Sequence, residues 1–234
     1  MALPKLNTQT FDLIIPSTDE KVRYRPFLVK EEKILLQAQQ SDKPTEIADA
    51  LIHVIKNCTF DKLKVENLPS FDIEYIFLKI RSKSVGEKVD IMVTCPDDNE
   101  TKVKTTVDLS KIEVEVDDDH TNVVELTDNV KVVMAYPTIK TFSGSNLSNM
   151  DAEQVISMTC KCIHQIIDGV ETYEAADLEQ KELEDFLENL TQEQFGKVQM
   201  FFTSMPRLKH IVNVTNPKTK KKGKVTLQGM QSFF

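Results

Sequence analysis

The chain has 234 residues, 40% of them hydrophobic and 28% charged, with a formal net charge of −8. That composition excludes a collagenous, low-complexity or disulfide-dense chain, and the length suits one large domain or two small ones burying ~70% of their unfolded surface without a metal or disulfide staple. An acidic chain with six glycines and no Gly-x-x-x-x-Gly-Lys, Gly-x-Gly-x-x-Gly or Gly-x-Ser-x-Gly string argues against general nucleic-acid binding, the common nucleotide loops and a hydrolase elbow.

A β-hairpin is predicted first. Phe11, Leu13 and Ile15 alternate, Pro16 to Asp19 is turn chemistry, and Val22, Tyr24 and Pro26 continue the return strand. Helical spacing takes over from Val29 to Gln40, with Leu28, Leu35 and Leu36 as its apolar residues. Ser41 to Pro44 breaks it, and Pro44 fits the first turn of a second helix striped by Ile47, Leu51, Ile52, Ile55 and Cys58. A third helix follows Leu68-Pro69-Ser70, with Phe71, Ile76, Phe77 and Ile80 inward and Lys79, Arg81 and Lys83 outward.

At Gly86 the period changes to two. Val89, Ile91 and Val93 alternate, Pro96 to Asn99 turns the chain, and Val103, Thr105 and Val107 return it. Ile112, Val114 and Val116, then Val123, Val124 and Leu126, then Val130, Val132 and Met134 suggest further strands of an antiparallel meander. Pro137 and Ser143 to Asn146 mark its exit. The remainder reads as mostly helical. Ile156, Met158, Ile163, Ile166 and Ile167 make one apolar face that stops at Asp168-Gly169, and Leu183, Phe186, Leu187 and Leu190 make another. Thr191-Gln192-Glu193-Gln194 is a capping-box pattern opening a helix with Phe195, Val198, Phe201 and Phe202, which Pro206 ends. Two strands, His210 to Val214 and Lys224 to Leu227, flank the turn at Asn216-Pro217-Lys218.

The expected architecture is therefore α+β: an N-terminal β-hairpin plus helices (1–86), a central antiparallel β-meander module (87–137), and a helical C-terminal module ending in a β-hairpin (138–234). Charge is uneven. From Glu171 to Glu193 there are nine acids and one base, Lys181, a second acidic cluster runs from Glu113 to Asp119, and the dense basic run is Lys218 to Lys224. The acids read as solvated helix and strand faces and the lysines as a solvated turn.

Chemistry-bearing constellations are few. Cys160-x-Cys162-x-His164 invites zinc, but inside a helix Cys162 points ~200° from Cys160, so packing is the better reading. The four cysteines make no Cys-x-x-Cys. With no signal-peptide pattern and no run of ~18 apolar residues, they read as free thiols of a soluble chain in a reducing compartment. His53, His120 and His210 have no recognisable triad partners, and Glu113 to Asp119 lacks the spaced ligands of a calcium loop. No catalytic, cofactor or metal residue is assigned. The aromatic ending has two readings. Phe195, Phe201, Phe202, Phe233 and Phe234 can close the core of the C-terminal module, or Phe201, Phe202, Met205, Phe233 and Phe234 can form a partner-docking surface.

Several strings carry a resemblance. They are Ala2-Leu3-Pro4-Lys5-Leu6-Asn7-Thr8, the run Tyr24-Arg25-Pro26-Phe27-Leu28-Val29-Lys30-Glu31-Glu32-Lys33-Ile34-Leu35-Leu36, and Phe71 to Phe77 with Arg81-Ser82-Lys83-Ser84-Val85-Gly86. Phe201-Phe202-Thr203-Ser204-Met205-Pro206-Arg207-Leu208 and Leu227-Gln228-Gly229-Met230-Gln231-Ser232-Phe233-Phe234 complete them. Over nearly its whole length the chain resembles the baseplate hub subunit and hub assembly protein family of T-even-type contractile-tailed bacteriophages.

The resemblance implies a non-enzymatic tail protein acting through protein–protein contacts with other hub and tape-measure proteins, as part of a hetero-oligomer. Its expected place is the virion tail baseplate, or the host cytoplasm during assembly, with no cofactor, nucleic acid or membrane. The competing readings are a soluble tail-assembly chaperone for the tape-measure protein, absent from mature virions, and a hub-associated peptidoglycan hydrolase. Members of the family can carry Cys-x-x-Cys pairs at the turns of the β module and of the terminal hairpin. Here Cys95 is followed by Pro96-Asp97-Asp98 and the terminal turn has no cysteine, so these turns are expected to be held by hairpin packing.

Overall fold

The computed structural model describes residues 7–41, 43–142 and 151–229. The start of the N-terminal string, the Ser143 to Asn146 cluster and the closing Met230 to Phe234 lie outside the described residues. The fold is α+β, with seven helices and eleven strands among those residues, every strand pairing antiparallel. The chain divides into two compact units: residues 1–115 with 207–234, and residues 116–206.

In the first unit, β1 (Phe11–Ile14) and β2 (Lys21–Tyr24) pair as the predicted hairpin. Three helices follow: α1 (Val29–Ser41), α2 (Pro44–Cys58) and α3 (Ser70–Val85). Pro44 opens α2, where its missing N–H and fixed φ cost nothing. The apolar stripes of α2 and α3 leave Val54, Ile55, Ile73, Ile76 and Ile80 at most 1% exposed. Gly86 ends α3 at φ 126°, backbone that a side chain rarely adopts, and so separates helix from strand where the sequence period changes.

β3 (Lys88–Thr94) and β4 (Lys102–Asp108) form a second hairpin. β5 (Glu113–Glu115) then pairs not with β4 but with β10 (Arg207–Thr215), which in turn pairs with β11 (Lys222–Gln228). The C-terminal hairpin is therefore completed by a strand almost a hundred residues earlier. Their common core joins Tyr75 and Leu78 of α3 to Ile91, Val93, Val107, Leu109, Ile112, Leu208, Val212, Val214 and Leu227. Lys79 is not an outward cation, as its spacing suggested. Its side chain is 12% exposed, and its ammonium donates to the Ser110 and Ile112 carbonyls (2.8 and 3.0 Å) and to Glu113 Oε1 (2.8 Å).

The second unit is a four-stranded sheet in the order β6 (Val123–Glu125), β7 (Val130–Met134), β8 (Ile163–Asp168), β9 (Glu171–Glu174). With it go α4 (Ile139–Phe142), α5 (Ala152–Cys160), α6 (Gln180–Glu188) and α7 (Gln192–Ser204). The helical face expected from Ile156 through Ile167 is corrected here. α5 stops at Cys160, and Ile163, Ile166 and Ile167 lie on β8 beside β7. Asp168-Gly169 is not a helix stop: Asp168 ends β8 opposite Glu171, and Gly169, at φ 58°, with Val170 makes the two-residue loop of the β8–β9 hairpin. The core unites Val124, Leu126, Val132 and Met134 with Cys160, Cys162, Ile163, Ile166, Leu183, Leu187, Val198 and Phe201.

Candidate protein-docking site

The predicted aromatic ending falls on α7. Thr191 caps this helix by accepting from the Gln194 amide, while Gln194 returns a bond to the Thr191 amide, the reciprocal pair read from the sequence. The cap sets the register that turns Val198 and Phe201 into the core, at 0% and 2% exposure. Phe202 is half-buried against the same core, and Met205, just past the helix end, is half-buried too. Phe233 and Phe234 lie outside the described residues.

Phe201 is the centre of an aromatic group. Its ring stacks on Tyr136 (centroids 5.6 Å, 21°), tilts against His120 (5.4 Å) and meets Phe202 edge-on (5.2 Å, 80°). The imidazole is held from both sides, Nδ1 lying 2.9 Å from Ser204 Oγ and Nε2 2.9 Å from the Tyr136 hydroxyl. Ser204 Oγ itself donates to the Met200 carbonyl at 2.8 Å. The network assigns one tautomer: Tyr136 donates to Nε2, and Nδ1–H donates to Ser204. Burial lowers the His120 pKa, against the opposing charge of Asp117, so the ring is neutral near pH 7.

Next to this group opens a cleft of about 530 Å³, walled by Val123, Val124, Met200 and Phe201 with Asp119 and Lys197 on its lips. Met200, on the cleft wall, is 64% exposed. Of the residues read as docking candidates, the structure brings Phe201 to the cleft wall, whereas Phe202 and Met205 do not line it. Sequence reasoning missed Met200, Val123 and the His120–Ser204 link. Lys197, Met200, Phe201 and Ser204 follow helical i, i+3, i+4, i+7 spacing, so the α7 half of the cleft was readable. The β6 half was not, since it comes from residues some eighty positions away. The wall is apolar and aromatic and Asp119, Glu125 and Lys197 border it, a chemistry that suits anchoring a side chain of another protein.

Cys160 ends α5 and Cys162 precedes β8, and both are buried, but His164 is exposed. On β8 Ile163 faces the core and His164 faces solvent, while both thiols lie outside the strand, at the end of α5 and in the turn before β8. Burial raises the thiol pKa of Cys58 and Cys160 to about 11 and of Cys162 to about 12. All four cysteines are free. Among the described residues no group of three or more His, Cys, Asp or Glu is placed to hold a metal ion.

The two turns at which the family resemblance implied cysteine pairs are joined by hydrogen bonds. Each closes the same way: the Asn99 amide donates to the Cys95 carbonyl (3.0 Å) and the Lys220 amide to the Asn216 carbonyl (2.9 Å), with Asn99 at φ 53° and Lys220 at φ 64°. Asn216, 1% exposed, donates from Nδ2 to Asp97 Oδ1 (2.9 Å) and Asp98 Oδ2 (2.8 Å), and Thr219 donates to Asp97. The Thr101 hydroxyl and amide, the Glu100 amide and Asn216 hold the Asp98 carboxyl far below the usual carboxylate range. Side-chain hydrogen bonds thus join the turns, in addition to the packing expected from the sequence.

No helix among the described residues is long and apolar enough to cross a membrane. Comparison with known proteins gives one family: a family model described as T4 bacteriophage base plate protein matches residues 7–234. No curated protein and no solved structure matches the chain.

Proposed function

The chain belongs to the T4 bacteriophage base plate protein family, and from that premise we propose that it is a baseplate hub subunit, or a factor that assembles the hub, acting through protein–protein contacts. That it is a structural protein of the phage tail baseplate follows from the match, which spans residues 7–234. The hub assignment rests on the strings that carry the resemblance, above all Arg25-Pro26-Phe27-Leu28-Val29-Lys30-Glu31-Glu32-Lys33 and the run from Phe201 to Leu208. The cleft beside Phe201 supports a contact role, because an apolar wall with a protruding Met200 offers an anchor pocket. The other hub proteins and the tape-measure protein are the partners this reading names.

Two measurements test it together. Phage lacking the gene are examined for hub assembly intermediates, and purified virions are analysed by mass spectrometry. Arrest at the hub with the protein present in virions supports a hub subunit. Arrest with the protein absent from virions supports an assembly factor that leaves, the chaperone-like outcome. Normal hub assembly without the gene overturns the proposal.

A further inference from the structure

The two units carry opposite charge. Residues 116–206 contain 17 Asp and Glu against 5 Lys and none of the arginines, a net −12. The remaining residues hold 20 acids against 24 bases, a net +4. The bulk −8 therefore understates a strongly acidic unit whose sequence interrupts that of a mildly basic one.

The acidic unit has a second groove, of about 440 Å³, between the β6–β7 turn and the α6–α7 corner. Its apolar surface is Leu126, Val130, Phe186 and Leu190, the last three only half-buried. Glu182 and Asp185 stand on its lip. Neither carboxylate has an ion-pair partner among the described residues, although Glu182 accepts from the Glu179 amide (2.9 Å) and closes the α6 capping box. Both lips are pre-formed, because α6 and α7 each begin in such a box. Apolar side chains left half-open beneath unneutralised carboxylates describe the occupant that fits: bulky apolar anchors flanked by cations. A second copy of this chain is disfavoured, because its dense basic run, Lys218 to Lys224, contains no bulky apolar residue to serve as an anchor.

We infer that the α6–α7 groove docks a lysine- or arginine-bearing, apolar-anchored segment of a different protein, with Glu182 and Asp185 reading its charge and Phe186 and Leu190 seating its anchors. This deepens the assembly reading and rests on it only for the identity of the partner as a tail protein.

The experiment has two arms. The first uses the purified chain and fluorescence anisotropy with three synthetic fourteen-residue probes. One carries Leu and Phe at helical i, i+4 spacing flanked by lysines, one keeps the lysines with serine at the apolar positions, and one keeps the apolar residues with glutamate for lysine. The first probe is expected to bind at least tenfold more tightly than either other, and to weaken as salt is raised. Combined Glu182→Gln and Asp185→Asn, which keeps the capping acceptor, is expected to weaken it about tenfold. Equal binding of the three probes, no binding, or an unchanged affinity in the variant overturns the docking chemistry.

The second arm treats baseplates and their assembly intermediates with a carbodiimide, which joins carboxylates to amines in direct contact. Cross-links from Glu182 or Asp185 to a lysine of another tail protein support the partner assignment. Cross-links only to a second copy, or none while the chain is present in the particle, overturn it. A chain absent from every particle and intermediate overturns the assembly reading and the partner assignment, while the probe arm still decides the groove.

Discussion

Arg25 and Glu31 give the Arg25-to-Lys33 string a structural role. Glu31 is 0% exposed and pairs with Arg25 Nη2 at 2.9 Å while accepting from the Leu28 amide at 2.8 Å, so one carboxylate ties the hairpin exit to the first turn of α1. Burial alone pushes this carboxyl up; the Arg25 and Leu28 hydrogen bonds and the charges of Arg25 and Lys30 outweigh it, and its pKa falls below the ordinary 4.5. The sign follows. The depressed group contributes stability that is fully present above pH ~4.5 and is lost as pH falls through the lower folded value. Glu31→Ala strands the guanidinium and is expected to cost ~3–5 kcal/mol in denaturant unfolding at pH 7, with the difference from the native chain shrinking in acid. The thiols give a second expectation at this scale. Held near 11 to 12, Cys58, Cys160 and Cys162 are protonated at pH 8, so a thiol reagent should label them slowly in the native chain and rapidly in denaturant.

Among the elements, those that depend on near neighbours were legible and those that depend on distant ones were not. The N-terminal hairpin, α2 with Pro44, the Thr191 box and the β10–β11 hairpin each follow from a turn, a cap or a short periodic run. Ile163, Ile166 and Ile167 fit a helix and a buried strand equally well, and β7 decided the matter by offering a ladder. Gly169 was the available clue, since a glycine at positive φ opens a two-residue hairpin loop as readily as it ends a helix. For the α7 cleft the helix stripe was readable and the β6 wall was not, and the α6–α7 groove owes its apolar surface to the same kind of long-range meeting. The clasped turns make a prediction of their own. A Cβ built on Gly223 lies 2.6 Å from Pro96 Cγ and 3.0 Å from its Cδ, and a ring is not a flexible chain end. Gly223→Ala is expected to destabilise by roughly 1–3 kcal/mol, seen as a lower midpoint in urea, whereas Gly196→Ala, which meets nothing within 4 Å, should not.

In the whole molecule the pairing of Arg207 with Glu115 is decisive. The second unit leaves the first after residue 115 and returns at 207, and those two residues face each other across an antiparallel ladder ~5 Å apart. A chain segment whose ends meet behaves as an insertion with a core of its own. Residues 116–206 made alone are therefore expected to unfold in one cooperative transition, and replacing them with a short glycine linker should leave the 1–115/207–234 unit folded. Circular dichroism melts of both fragments check this; two unfolded fragments reject it.

The same ladder sets an order of events during synthesis. Residues 116–206 are all available before β10 and β11 emerge from the ribosome, so the acidic unit can finish folding while the unit begun first still lacks Leu208, Val212, Val214 and Leu227 from its interior. The first-born unit is the last to close. A released fragment of residues 1–206 should resist protease over its inserted part and be cut readily before residue 116, because the two strands that close the first unit are missing from it.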